Sequence, residues 1–111
     1  EAAGLPKTLA AAAQQRPSPA RIVVADAGSE DGTAEVARAA GAHVVASRRG
    51  RAWQMNAGAA AAVDVDSKQA ADSKVDALLF LHADTKLQPG ALAAVREALE
   101  DPLVVGGCFQ L

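Results

Sequence analysis

The sequence predicts an α/β domain with a mostly parallel sheet covered by helices, and three observations predict it. Short apolar runs alternate along the chain with alanine-rich stretches of helical length, and such alternation implies crossover units. The run Arg21-Ile-Val-Val-Ala-Asp26 is rich in β-branched residues, as a buried strand requires. Asp26 and Asp84 each end an apolar run, where the carboxyl ends of parallel strands share one edge and ligands bind in the crevice.

Each element follows from its residues. Leu5-Pro6-Lys7-Thr8-Leu9 leads into an alanine run to Gln15, with proline tolerated at a helix start and alanine the best helix former. Pro17 and Pro19 stop that helix. Residues 21–26 form the first strand and 27–32 a turn. Residues 33–40 have helical character, and Gly41 is the stop. His43-Val-Val-Ala46 is a second strand, 47–50 a polar loop, and 52–63 a helix weakened by Gly58. Residues 64–74 are polar without an apolar period and read as a surface loop. Ala77-Leu-Leu-Phe-Leu81 is expected to be a third strand running into His82-Ala83-Asp84. Pro89-Gly90 opens a helix to about Glu100, and 104–109 begins a further strand.

Composition bounds the function. At 111 residues the chain is one domain at most. Hydrophobic residues make up 50%, but only 3% are aromatic and alanine supplies most of the rest, so the core is expected to be thin. A net charge of −2 with interspersed signs gives no basic face for nucleic acid. One cysteine, Cys108, forms no internal disulfide and fits a reducing, cytoplasmic compartment. No apolar run approaches a membrane span, so membrane association is not indicated.

Three constellations carry the candidate chemistry. In Asp26-Ala-Gly28-Ser29-Glu-Asp31-Gly32-Thr33, an aspartate at a strand end accepts hydrogen bonds from a base or a ribose hydroxyl. Gly28 and Gly32 permit tight turns and close ligand approach. Asp31 suits a helix cap. In Arg48-Arg49-Gly50-Arg51-Ala-Trp53-Gln-Met-Asn56-Ala-Gly58, a cation at a helix start can bind a carboxylate or diphosphate. Arg51 is favoured over Arg48 and Arg49, which read as a solvated loop. Asn56 is expected to bind a neighbouring loop backbone, Gly58 to permit close packing, and Trp53 to pack. In Phe80-Leu-His82-Ala-Asp84-Thr85, side-chain alternation sets His82 and Asp84 on one side. A carboxylate there can hold a divalent metal bridging substrate phosphates. No P-loop, Gly-x-Ser-x-Gly elbow or cysteine–histidine metal cluster is present.

In order and content these three pieces resemble the family 2 glycosyltransferases, and most closely the branch labelled arsenosugar-biosynthesis glycosyltransferase, from Arg21 to Leu111. The resemblance implies a three-layer GT-A fold, helices on both faces of the sheet, truncated here at both ends. Residues 1–111 would be a partial nucleotide-sugar-binding domain with 64–74 as an insertion. It implies a metal-assisted, inverting transfer of sugar from a nucleotide-diphosphate donor to an acceptor, using Mn2+ or Mg2+. Asp26, Gly28, Ser29, Arg51, Asn56 and His82 would bind the nucleotide sugar, and Asp84 the metal. Asp26 would contact the base, with Arg51 supporting it or the diphosphate. His82 departs from the broader family by standing where many relatives have the first carboxylate of Asp-x-Asp. The catalytic base is expected beyond Leu111, so the 111-residue chain alone is expected to bind donor weakly, if at all, and not to turn over. A nucleotidyltransferase of related fold and a non-catalytic nucleotide-binding module are the alternatives.

Overall fold

A computed structural model describes residues 4–63 and 75–109. Its elements run α1 (Leu5–Ala13), β1 (Val23–Asp26), α2 (Thr33–Ala39), β2 (His43–Ala46), α3 (Arg51–Ala62) and α4 (Ala91–Leu99). The two strands pair in parallel, from Val23 opposite His43 to Asp26 opposite Ala46. The ladder is bracketed by the His43 N–H donating to the Ile22 carbonyl at 2.9 Å and the Ser47 N–H to the Asp26 carbonyl at 3.0 Å. Parallel strands need a crossover, and α2 supplies it. Gly41, at φ +89°, ends α2 in the left-handed turn that glycine adopts without a Cβ penalty.

The core forms where α1 and α2 meet the sheet. Leu5, Leu9 and Ala37 are buried together, with Ile22, Val24, Val36, Ala42, Val44 and Ala83 packed around them. Leu5 and Leu9 are one helical turn apart on α1 and present a single apolar stripe. Ala25, the next residue after Val24, instead meets α3 at Gly58, where a built Cβ would lie 3.9 Å from the Ala25 Cβ. That fits the expectation that Gly58 permits close packing. Among the described residues no large side chain is fully buried, as the alanine-rich composition implied.

α1 carries a polar row beside its apolar stripe. The buried Thr8 hydroxyl donates to the Ala83 carbonyl at 2.6 Å. Two turns on, the buried Gln15 amide donates to the Gln88 carbonyl at 2.9 Å and accepts from the Leu92 N–H at 3.1 Å. Gln15 therefore supplies the acceptor that the start of α4 lacks locally, since Gly90 offers no side-chain cap. These bonds cross 75, 73 and 77 positions of sequence and tie residues 83–92 to α1.

Two sequence expectations are corrected. Residues 77–81 and 104–109 are not strands; among the described residues the sheet has two strands only. An apolar, β-branched run favours extended backbone, but a strand exists only with a paired neighbour. Ile22 and Asp26 direct their carbonyls to β2, so by alternation the Ala25 carbonyl faces the other edge of β1. There it accepts from the Gln54 side-chain nitrogen at 3.2 Å rather than from a strand. Leu78, Leu79, Phe80 and Leu81 consequently stay exposed, Phe80 by 51%. The expected surface loop at 64–74 lies outside the described residues. Among the described residues no helix is long and apolar enough to cross a membrane.

Candidate functional site

Asp26 ends β1, and its carboxylate is fixed by its own loop. The Ser29 N–H donates to both carboxylate oxygens at 3.3 Å. Gly28, at φ +80°, makes that return possible; open space surrounds it, so glycine is required there by backbone conformation rather than by room. The carboxylate is thus oriented by a backbone donor while its remaining lone pairs stay free for a ligand. Asp31 behaves as expected of a capping residue. Its Oδ1 accepts from the Thr33 N–H at 3.2 Å and from the Thr33 hydroxyl, while Gly32 at φ +80° is the residue that turns into α2.

The loop after β2 starts against Asp26, because the Ser47 N–H binds the Asp26 carbonyl. Gly50, at φ +134°, turns the chain into α3, whose first residue is Arg51. The positive φ demands glycine, and a Cβ there would sit 3.2 Å from Trp53 Cδ1, close enough to push the exposed ring aside. Gln54 in the first turn of α3 reaches the Ala25 carbonyl, which seats the start of α3 beside the carboxyl end of β1. Arg51 and Asp26 therefore stand at the same rim of the sheet. Arg48, Arg49 and Arg51 are all exposed, and among the described residues none pairs with a carboxylate. Trp53 is 51% exposed rather than packed, with the Arg48 guanidinium 4.3 Å from its ring centroid. Such a stack is worth about 0.5–1 kcal/mol at an exposed position. Asn56 is exposed on α3, and among the described residues its amide binds no loop backbone, unlike the sequence expectation.

The third constellation forms a turn rather than a strand end. The Thr85 N–H donates to the His82 carbonyl at 3.0 Å, so the alternation that set His82 and Asp84 on one side does not run through 82–84. Both residues are exposed, whereas Ala83 between them is anchored by Thr8 and packs on the core. Among the described residues no three His, Cys, Asp or Glu side chains converge as a metal cage. The donor set at the turn, a single exposed carboxylate, fits a hard divalent cation that takes its other ligands from water and phosphates.

Sequence reasoning missed Thr8 and Gln15. The available signal was a threonine among the leucines of α1 and a glutamine just past its end, seven positions on.

No curated protein and no solved structure matches the chain. The family model described as Glycosyl transferase family 2 matches residues 1–110, nearly the whole sequence, and the chain belongs to that family.

Proposed function

We propose that this chain binds the donor of a glycosyl transfer, a nucleotide-diphosphate sugar, at the rim formed by the loops after β1 and β2 and the turn at 82–85. The observation that carries the reading is the Asp26 carboxylate, held by the Ser29 N–H beside Arg48, Arg49 and Arg51, which pair with no carboxylate among the described residues. In this reading Asp26 accepts from the base, and Gly28 and Ser29 let the loop approach the nucleoside. Arg51 meets the diphosphate with help from the backbone donors at the start of α3. His82 lies toward the ribose, and Asn56 lines the donor side of α3.

Asp84 would hold Mn2+ or Mg2+, which when bound neutralises charge on the leaving diphosphate. The transfer would invert the anomeric centre, with the base and acceptor groups contributed from outside the described residues. The finer placement, a three-layer GT-A sheet and the branch labelled arsenosugar biosynthesis, rests on the order and content of the runs at 28–33, 50–58 and 81–85 together. The single exposed Cys108 fits a reducing cytoplasm.

Donor binding is the readout that isolates this half of the reaction. Titrating the chain with UDP, GDP, dTDP and ADP, with and without manganese, is expected to show one nucleotide gaining about tenfold in affinity from the metal. The Gly28, Ser29 and Arg51 amide signals should move in the same titration. Binding that ignores manganese would favour a metal-independent binding module instead.

A further inference from the structure

We infer that Thr8 is a positioning residue for Asp84, setting the direction of the carboxylate proposed to hold the metal; the inference rests on that reading of the donor site. Thr8 is 6% exposed and its hydroxyl has one hydrogen with two carbonyls in reach, Ala83 at 2.6 Å and Gly4 at 3.3 Å. The Ala83 carbonyl is much the nearer, so the hydroxyl hydrogen belongs to Ala83. The Ala83 carbonyl and the Asp84 nitrogen share one planar peptide unit. A bond that fixes the carbonyl direction therefore fixes the plane from which the Asp84 side chain springs.

Nothing else among the described residues does this from the sheet side, since 77–81 has no ladder partner. The Ala83 methyl is held by the core and its carbonyl by Thr8, so the residue is clamped on two sides. Gln15 holds the same segment further along, at Gln88 and Leu92, and supplies the control. Removing the Thr8 donor leaves α1 and the turn bond from Thr85 to His82 in place but frees the central peptide of that turn, Ala83–Asp84, to flip. An outer residue that orients a metal ligand typically controls metal affinity by about ten- to a hundredfold.

The test compares wild type, Thr8→Val, Thr8→Ser, Gln15→Ala and Asp84→Asn by calorimetric titration with UDP, GDP, dTDP and ADP, each with and without manganese. The quantity read is the affinity gained from manganese. Thr8→Val, which keeps the branched shape but loses the donor, is expected to lose most of an about tenfold gain. Its metal-free affinity should stay as in wild type. Thr8→Ser should restore the gain, and Gln15→Ala should keep it. A Thr8→Val protein with the full gain overturns the inference, and so does a loss that Thr8→Ser fails to restore or that Gln15→Ala reproduces. Should Thr8→Val fail to fold, the amide shifts of Asp84 and Thr85 in Thr8→Ser and Thr8→Ala decide it; they must differ between those two variants. If Asp84→Asn also keeps the gain, or wild type has none, the donor-site reading falls and takes this inference with it. A gain lost in Asp84→Asn but kept in Thr8→Val removes Thr8 alone.

Discussion

Leu9→Ala is expected to cost about 2–5 kcal/mol of folding stability. Among the described residues Leu9 and Leu5 are the bulky members of the buried cluster, and Leu9 is 6% exposed. The third member, Ala37, is 0% exposed and contributes a methyl that cannot swing into a void. The surrounding Val24, Val36 and Val44 sit on paired strands or on α2, and Ile22 directly precedes β1, so collapse around the cavity is restricted. Marginal domains hold roughly 0.05–0.15 kcal/mol per residue, and a loss of this size removes much of that reserve. Urea unfolding followed by far-ultraviolet circular dichroism checks it. A midpoint unchanged from wild type would mean that the α1–sheet contact is not the core.

Asp84→Asn is expected to abolish the affinity that manganese adds to nucleotide binding while leaving metal-free affinity within about twofold. The substitution keeps size and shape, so the turn closed by Thr85 N–H and the His82 carbonyl should persist. What it removes is the charge. A neutral amide oxygen is a far weaker ligand for a hard divalent cation than a carboxylate, and among the described residues no group of three His, Cys, Asp or Glu side chains stands by to replace it. The loss should therefore be complete rather than partial. Parallel calorimetric titrations of wild type and variant measure it. A variant that responds to manganese as wild type does would place the metal elsewhere.

Local signals made much of the fold legible. The start of α1 at Leu5, the start of α2 at Thr33 and the bounds of β2 follow from proline placement, the Asp31-Gly32 turn and β-branched runs. These are decisions made within a few residues. The expectation failed where the outcome depends on a distant partner. Residues 77–81 have strand composition, but ladder formation depends on what faces the free edge of β1, and there Gln54 stands instead. The same holds for the turn at 82–85, where a hydrogen bond back to His82 interrupts the alternation inferred from an extended strand.

The candidate site divides along the same line. Asp26 and Arg51 were legible because strand ends and helix starts are fixed by topology, and both reach one rim. Trp53 was misjudged because apolar bulk points to burial, whereas Arg48 covers its ring at the surface. Thr8 and Gln15 escaped notice because their partners lie more than seventy positions away. Their trace in the sequence is a polar residue inside the alanine helix and another just past its end.

The account turns on the loop at Asp26 and the turn at Asp84 serving one bound nucleotide and its metal. Manganese broadens amide signals near it, so a nitrogen–proton correlation spectrum recorded with nucleoside diphosphate and substoichiometric manganese tests this most directly. The account predicts that Asp84 and Thr85 broaden together with Gly28, Ser29 and Arg51 in one saturable titration, and that Asp84→Asn suppresses the broadening throughout. Broadening confined to 82–85 while the Asp26 loop stays sharp, or the reverse, would contradict it.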